Sequence, residues 1–287
     1  MNILVIGGAG FIGTNLVKEL KKNTDDKIYV LDNYFSGSEE NHIKGVEYIQ
    51  KSTWDIKEIE IKMDVVYHFG EYSRVVPSFK DVEYVWCANL WGTTFVLQRC
   101  LEWNAKFIYS ASSTKFGGDE HLCPYSWAKS KMVELVKNYR DWYGLKYEIC
   151  YFYNVYGEHQ ISKGKMATVL GIFEEQYKNN QRRTVVAPGT QTRHFTHVKD
   201  IVDGLLKIQK QDGNREWYLQ NEKEYTMFDV AKMFSKKTKD FKLIKMRDGE
   251  RLDSITIKND TQKVLNWKPK RNLKDWIDKI KKPTQNE

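Results

Sequence analysis

The chain has 287 residues, of which 41% are hydrophobic, and these values allow a sizeable core and exclude a wholly disordered protein. Its formal net charge is +8, but the lysines are spread along the sequence without a long basic run, so we predict no nucleic-acid partner. No stretch of roughly 18 consecutive apolar residues is present, so we expect no membrane span.

Strand and helix patterns alternate along the first half of the chain. In chain order, we predict strand 2–6, helix 11–20, strand 27–31, strand 64–69, helix 87–101, strand 106–110, helix 127–142 and strand 147–153. This βαβ alternation predicts an α/β fold with a doubly wound parallel sheet, covered by helices on both faces. After Gly157 the alternation weakens, which predicts a smaller mixed α/β lobe at 158–287, with segments of about 190–225 returning to the first domain, 1–157.

A glycine-rich turn joins the first predicted strand to the first predicted helix, and its sequence, GGAGFIG at 7–13, satisfies both GxxGxxG and GxGxxG. Glycines there permit a tight turn, close approach of the backbone to a pyrophosphate and close helix–strand packing, while the helix N-terminus offers N–H groups to phosphates. The motif therefore predicts a Rossmann-type dinucleotide site that includes Gly7, Gly10, Phe11, Ile12 and Gly13.

An acidic residue, Asp32, follows the predicted second strand. Its carboxylate can accept hydrogen bonds from both ribose hydroxyls and would repel a 2′-phosphate, and no arginine or lysine lies between Asn33 and Ser38. The sequence therefore predicts NAD rather than NADP as the cofactor of the first domain.

Candidate catalytic side chains follow the predicted strand 106–110. Tyr125 and Lys129 form a YxxxK pair, and because residues i and i+4 share one face of a helix, the lysine ammonium can lower the pKa of the phenol. A phenolate near neutral pH can abstract a hydroxyl proton while hydride leaves the carbon. A hydroxyl of the SASST run at 110–114 can donate to the same substrate oxygen and relay its proton.

The motifs resemble those of the extended short-chain dehydrogenases, especially UDP-glucose 4-epimerase and its relatives. The resemblance covers almost the whole chain, in segments GGAGFIG (7–13), LDNYFSG (31–37), WDI (54–56), HFG (68–70), NLWGTT (89–94), SASSTKFG (110–117), PYSWAK (124–129), FYNVYG (152–157), GTQTRHFTHVKD (189–200) and LNWKPK (265–270). It implies an NAD-dependent enzyme that acts on a nucleotide-diphospho-sugar, bound in the C-terminal lobe. It also implies a homodimer that forms through the helices near Tyr125 and around 89–101.

The resemblance further implies what single residues contact. Ser112 and Tyr125 would be the catalytic hydroxyls, and Lys129 would anchor NAD. Cofactor contacts beyond the glycine-rich turn would be Asp32, Asn33, Ser36, Gly37, Asp55, Ile56, Phe69, Gly70, Asn89, Tyr125, Lys129 and Tyr153. Substrate contacts would be Ser112, Ser113, Asn154, Lys163, Arg193 and Arg247, with the two arginine forks facing the diphosphate.

The choice of reaction depends on Ser113 and Thr114. The 4,6-dehydratases of the resembled family place an Asp-Glu pair there, and the UDP-glucuronate decarboxylases carry a glutamate at the Thr114 position. The sequence therefore favours epimerisation, of the UDP-glucose/UDP-galactose 4-epimerase type, through a transient 4-keto sugar. A nucleotide-sugar 4-dehydrogenase shares every motif and stays open, whereas an NAD-binding protein without catalysis would not require the intact Tyr125 and Lys129.

A heptose-type epimerase acting on a GDP- or ADP-linked sugar also stays open. The KGKMA stretch at 163–167 resembles the KGSMAS stretch of ADP-heptose 6-epimerase, in which the lysine matching Lys163 acts as a second acid/base. Other positions depart from the family pattern around the sugar pocket. Glu71-Tyr72-Ser73 replaces an alanine-rich turn, Tyr151 replaces an arginine, and Glu158-His159 replaces Pro-Arg.

The cysteines and the N-terminus indicate the compartment. The four cysteines, Cys87, Cys100, Cys123 and Cys150, include no CxxC pair and no zinc-type spacing, so we expect free thiols and no metal site. The N-terminus begins directly with a predicted strand and lacks the basic region and cleavage site of a signal peptide. We therefore expect a cytoplasmic protein.

Overall fold

Strands and helices alternate in a computed structural model, which describes residues 1–117, 119–235 and 240–282. The strands are β1 Asn2–Ile6, β2 Lys27–Asp32, β3 Glu47–Gln50, β4 Val65–His68, β5 Lys106–Ser112, β6 Tyr147–Phe152, β7 Val155–Tyr156, β8 Arg183–Val186, β9 Thr192–His194, β10 Thr196–His197, β11 Glu216–Leu219, β12 Glu224–Thr226 and β13 Phe241–Ile244. The α-helices are α1 Phe11–Asn23, α2 Val82–Val85, α3 Gly92–Trp103, α4 Pro124–Tyr143, α5 Val169–Lys178, α6 Val198–Ile208, α7 Met227–Met233, α8 Thr261–Val264 and α9 Leu273–Lys281, with a π-helical segment, Trp86–Trp91, between α2 and α3.

Seven parallel strands form the central sheet in the order β3-β2-β1-β4-β5-β6-β11. This order reproduces the 3-2-1-4-5-6 arrangement of the doubly wound dinucleotide-binding fold, with one strand added beside β6. The predicted Rossmann-type fold is therefore confirmed. Successive residues of β1 explain why both faces are covered, because Leu4 and Ile6 pack into the hydrophobic core on one face while Ile3 and Val5 pack into the core on the other.

Each predicted strand and helix is present in the structure, although some begin or end at other residues. Strand β3 was not predicted, because its four residues, EYIQ, carry no apolar run and none is fully buried. Helix α4 begins at Pro124 rather than at residue 127, because the Cys123 sulfur accepts from the Ser126 N–H at 3.3 Å and a proline suits the first helical turn. The helix predicted at 87–101 is longer, since α2 and the π-helical segment precede α3.

The C-terminal lobe has a separate hydrophobic core. Its buried side chains come from α5, β8, α7 and α9, and include Leu170, Phe173, Val185, Val230, Phe234, Leu273 and Ile277. The chain does not stay in this lobe, because β11 pairs with β6 and α6 packs against β6, β11 and α1. Both returning elements fall within or beside the expected segment 190–225. None of the described helices is long and apolar enough to cross a bilayer.

Candidate active site

A cleft of about 720 Å³ opens at the carboxyl ends of the central strands, bounded by the turn 7–13 on one side and by 244–251 of the C-terminal lobe on the other. In open parallel sheets, ligands bind beyond the carboxyl ends of the strands where the strand order reverses. That point lies between β1 and β4 here. The cleft is therefore where the fold places a dinucleotide, and its two ends can receive two ligands.

The glycine-rich turn is shaped for close backbone approach. Gly7 has a φ of +77°, and a Cβ added to it would lie 2.7 Å from the Gly70 nitrogen. A Cβ added to Gly13 would lie 2.2 Å from the Gly7 carbonyl oxygen, so both positions require glycine. Gly10 precedes α1 without a side-chain cap, which leaves the first N–H groups of that helix free for phosphates. Gly7, Gly10, Phe11, Ile12 and Gly13 all line the cleft.

Asp32 lies at the end of β2 with its carboxylate held in a fixed orientation. One carboxylate oxygen accepts from the Ala9 N–H at 2.9 Å, and the other accepts from the Tyr34 N–H at 2.9 Å. Burial raises the pKa of Asp32, and the two backbone donors act in the opposite direction. The carboxylate still lines the cleft, beside Asn33 and Ser36, and is positioned to accept from ribose hydroxyls.

We expect NAD to bind in preference to NADP, and Asp32→Ala to reduce this preference at least about tenfold, or about 1.4 kcal/mol, because one anionic clash is removed. Calorimetric titration of both cofactors measures the ratio of dissociation constants. Asp26→Ala is a matched control, since Asp26 precedes β2 and pairs with the N-terminal amine at 2.6 Å. Comparable affinity of the unmodified protein for NADP would contradict the assignment.

The cofactor residues implied by the resemblance divide into two groups. Phe69 and Gly70 line the cleft between β4 and the glycine-rich turn, and Asp32, Asn33, Ser36, Tyr125 and Lys129 line it as well. The remaining ones do not line the cleft, and these are Gly37, Asp55, Ile56, Asn89 and Tyr153.

Three of these residues have structural partners within the protein. Asp55 caps a short helix by accepting from the Ser52 N–H, and Ile56 is buried in the core. Asn89 braces the turn after β4, because it accepts from the Tyr72 N–H and donates to the Tyr72 carbonyl. Residues 52–54 line the cleft at the expected adenosine end instead, including the exposed Trp54, which sequence reasoning missed.

The three candidate catalytic residues meet in the middle of the cleft. Ser112 ends β5, while Tyr125 and Lys129 lie one turn apart on α4, and Ser113 lies beside them. Thr114 donates to the Ser112 hydroxyl oxygen at 2.9 Å, which orients that hydroxyl. Burial raises the pKa of Tyr125, whereas the hydrogen bond with Ser112 and the charge of Arg74 lower it.

Lys129 has a partner that sequence reasoning did not assign. Its ammonium forms an ion pair with Glu71 and donates to the Ser110 carbonyl. The Glu71 side chain is 1% exposed and follows β4, in the turn where the sequence departs from the family pattern. That departure was the available signal, but it did not indicate which cation Glu71 would contact.

The C-terminal lobe contributes a cluster of arginines to the other end of the cleft. Arg193 and Arg247 both line it, and both donate to Glu250, at 2.9 and 3.1 Å. Asn154 lines the cleft as well. Arg251, which sequence reasoning missed, is buried there, forms an ion pair with Asp119, and donates to the Ser113 hydroxyl oxygen at 3.4 Å.

Lys163 is separated from these residues. Its side chain is 76% exposed, pairs with Glu175 at 3.0 Å, and does not line the cleft. Gly164 and Lys165 line it in place of Lys163. The geometry thus gives no support to Lys163 as a second acid/base.

Comparison with known proteins agrees with the fold. The profile of the NAD dependent epimerase/dehydratase family matches residues 3–218. The chain belongs to this family. The resemblance seen in the sequence is therefore confirmed, and NAD is the cofactor.

Individual relatives of this family member carry different activities. The chain is 29% identical to UDP-glucuronic acid decarboxylase 6 of Arabidopsis thaliana, over 96% of this chain and 87% of that protein. It is also 29% identical to a putative UDP-glucose 4-epimerase of Methanocaldococcus jannaschii, over 97% and 96%. The crystal structure of UDP-glucose 4-epimerase with UDP-glucose from Thermotoga maritima superposes with a TM-score of 0.90 at 26% identity, over 96% of each chain. The activity of this chain is accordingly NAD-dependent epimerase or dehydratase chemistry on a nucleotide sugar.

Proposed function

We propose that the protein is a nucleotide-sugar 4-epimerase, of the UDP-glucose/UDP-galactose type, that works through a transient 4-keto sugar. The observation that carries this proposal is the hydroxyl pair of Ser112 and Tyr125 in a cleft where Thr114 replaces an acidic residue. Thr114 is buried and its hydroxyl is occupied with Ser112. It cannot supply the carboxyl group that the sequence resemblance associates with decarboxylation.

The carboxylates of the cleft support the same choice. Among the described residues that line it, the acidic ones are Asp32, Glu71 and Glu250, and each has partners. Asp32 binds backbone N–H groups, Glu71 pairs with Lys129, and Glu250 accepts from two arginines. Elimination of water needs an acid and a base beside the sugar, whereas epimerisation requires only the reversible removal of one hydroxyl proton.

The reaction can be described by what the side chains do. Tyr125 removes the proton from the sugar 4-hydroxyl, while Ser112 donates to the same oxygen and holds it beside the phenol. The chemistry supplied by NAD when bound is hydride acceptance from C4 and hydride return to the other face of the ring. Tyr125 then gives its proton back to the oxygen, so no net proton leaves the site.

The test is incubation of the protein with UDP-, GDP-, ADP- and dTDP-sugars, followed by NMR of the anomeric region. An epimer without net NADH supports the proposal. A ketone with NADH retained would identify a 4-dehydrogenase, and a decarboxylated sugar would identify a relative of the Arabidopsis enzymes. Turnover of no sugar at all would overturn the proposed function.

We further propose that Arg193 and Arg247 bind the diphosphate, because two forks converge on one carboxylate that a diphosphate can replace. Arg193→Ala or Arg247→Ala should weaken UDP binding by about 1.5–3 kcal/mol, the usual magnitude for a hydrogen bond to a charged group. Isothermal titration with UDP measures this loss. Arg215→Ala is the matched control, since it removes a comparable ion pair, with Asp260 at 2.7 Å, outside the cleft. UDP affinity unchanged in both cleft variants would remove the assignment.

The expected homodimer stays a prediction. Helix α3 and the start of α4 expose Phe95 and Trp127, each between a third and two fifths exposed, and Trp91 beside them is 62% exposed. Large apolar side chains on neighbouring helices are compatible with a helix-to-helix contact between two copies.

A further inference from the structure

Glu71 is a buried acidic residue that the proposed reaction does not use directly. One oxygen of its carboxylate pairs with the Lys129 ammonium. The other oxygen accepts from the Tyr109 hydroxyl at 3.0 Å and from the Thr93 hydroxyl at 3.2 Å. Three elements, β5, α3 and α4, therefore converge on this one carboxylate.

The contacts of Glu71 and Lys129 suit a charged pair. Both oxygens of Glu71 lie within hydrogen-bond distance of donors, so a carboxylate can accept from Lys129, Tyr109 and Thr93 together. Lys129 donates to the Glu71 carboxylate and to the Ser110 carbonyl, which an ammonium can do. Burial raises the pKa of Glu71 and lowers that of Lys129, but each charge stabilises the other. The two residues form a buried ion pair with no net charge.

His68 extends this network without adding charge. Burial lowers the pKa of His68 to about 3, so the ring is neutral at physiological pH. Its Nε2 lies 2.9 Å from the Thr93 hydroxyl oxygen, and since that hydroxyl donates to Glu71, it accepts the Nε2 hydrogen. The hydrogen bond from His68 thus orients the Thr93 hydroxyl toward Glu71.

The charge environment of Tyr125 follows from these contacts. Tyr125 faces the Ser112 hydroxyl from β5, Arg74 and Glu71 from the turn after β4, Cys123 before α4, and Lys129 one turn along the same helix. Glu71 opposes the ionisation of Tyr125, as any anion near a phenol does, and it also pairs with Lys129, which together with Arg74 would assist ionisation. An uncharged side chain at position 71 would leave Lys129 uncompensated.

We propose that Glu71 is a positioning residue that fixes the Lys129 ammonium and cancels its charge, so that Arg74 is left as the cation beside Tyr125 and the phenol becomes a base when the positive charge of the NAD⁺ nicotinamide is added to that of Arg74. The inference rests on the proposed function in taking Tyr125 as the base. It adds that Glu71 withdraws the contribution of Lys129, which keeps the tyrosine protonated in the empty site.

The first experiment titrates the Tyr125 phenolate in the unmodified protein by ultraviolet difference spectroscopy. Because the chain has 17 tyrosines, the signal of Tyr125 is obtained by subtracting the titration of Tyr125→Phe. We expect the midpoint to be lower with NAD⁺ than with no cofactor or with NADH, whose reduced nicotinamide is uncharged. A midpoint that is already near neutral pH without cofactor would overturn the proposal, and this experiment requires no variant of Glu71.

The second experiment repeats the cofactor-free titration with Glu71→Gln, which keeps the shape of the side chain but removes its charge. The uncompensated Lys129 should lower the Tyr125 midpoint by about one pH unit. The acid limb of kcat/KM should move to lower pH by a similar amount, since activity requires the deprotonated phenol. A midpoint that is unchanged or raised in the folded variant would overturn the proposal.

Glu148→Gln is the matched control. Glu148 is also a buried carboxylate, which accepts from the Trp217 indole N–H at 2.6 Å, but it lies outside the cleft. Each variant is compared with its own Tyr125→Phe version, and Glu148→Gln should leave the midpoint unchanged. The two proposals can fail separately. A missing epimer product would overturn the proposed reaction, whereas an unshifted Tyr125 titration would overturn the role of Glu71.

Discussion

Tyr125→Phe should lower kcat by at least about 10²-fold while leaving NAD bound and the fold intact. General-base catalysis of this kind contributes about 10²–10⁴ in rate, and the substitution removes only the hydroxyl that performs it. Tyr125 is 9% exposed on α4, and its ring stays buried whether or not the oxygen is present. The variant should therefore keep the unfolding midpoint of the unmodified protein and still bind NAD.

Steady-state kinetics with the active sugar nucleotide measures this loss, and two further variants identify the base. Ser112→Ala should cost less if Tyr125 reaches the sugar hydroxyl directly, and as much if the serine relays the proton. Lys163→Ala should retain near-full activity, because that lysine is exposed and pairs with Glu175 outside the cleft. If Tyr125→Phe instead retained activity while Lys163→Ala abolished it, the 4-epimerase assignment would fail and the heptose-type alternative would replace it.

Gly7→Ala should abolish measurable NAD binding and destabilise the protein by about 2–5 kcal/mol. Two costs add at this position. A left-handed backbone costs an L-residue roughly 1–2 kcal/mol, and overpacking costs about 1–3 kcal/mol more. The added methyl would lie 2.7 Å from the Gly70 nitrogen and 2.9 Å from the Gly70 Cα, both backbone atoms that cannot rotate away. The turn after β4 would have to move, and it carries the residues that line the cofactor end of the cleft.

Gly144→Ala separates the two costs. Gly144 directly follows α4 with a φ of +76°, almost the φ of Gly7, but a Cβ added there has no atom within 4 Å. It should therefore show only the conformational cost, with NAD affinity unchanged. Chemical denaturation gives the free energy of unfolding for both variants. Equal losses would show that contact between the added methyl group and Gly70 has no steric cost.

The cofactor half of the molecule could be predicted well from sequence because its signals are local. A single segment, 2–13, carries a strand, a glycine turn and a helix start, and the structure has them at the same residues. The position of Asp32 could be predicted from the strand that it ends. Where the family pattern was transferred position by position, as for Asp55 and Tyr153, the residues do not line the cleft. Side-chain direction in short irregular segments depends on local caps and packing, which spacing does not encode.

The substrate half was harder to predict because its contacts join distant segments. Glu71 and Lys129 meet only because β4 and β5 are neighbours and α4 crosses their ends. Arg251 reaches Asp119 and Ser113 across the gap between the two parts of the chain. An ion pair between residues so far apart leaves no periodic signature. The departure at Glu71 could be seen in the sequence, but its partner could be identified only in the folded protein.

The insertion of β11 beside β6 affects how the chain can be cut. A fragment ending at residue 157 would carry the dinucleotide motif and the Tyr125–Lys129 pair, yet it would lack the strand that covers one side of β6. Trp217, fully buried in β11, would be missing from the core, and Glu148 would lose the hydrogen bond that it accepts from the Trp217 indole N–H. An uncovered strand edge of this kind is prone to pair with another chain and aggregate. The segment that carries the dinucleotide motif is thus continuous in sequence but not self-sufficient, and its last strand is supplied only after the first part of the substrate lobe, 158–215, has been made.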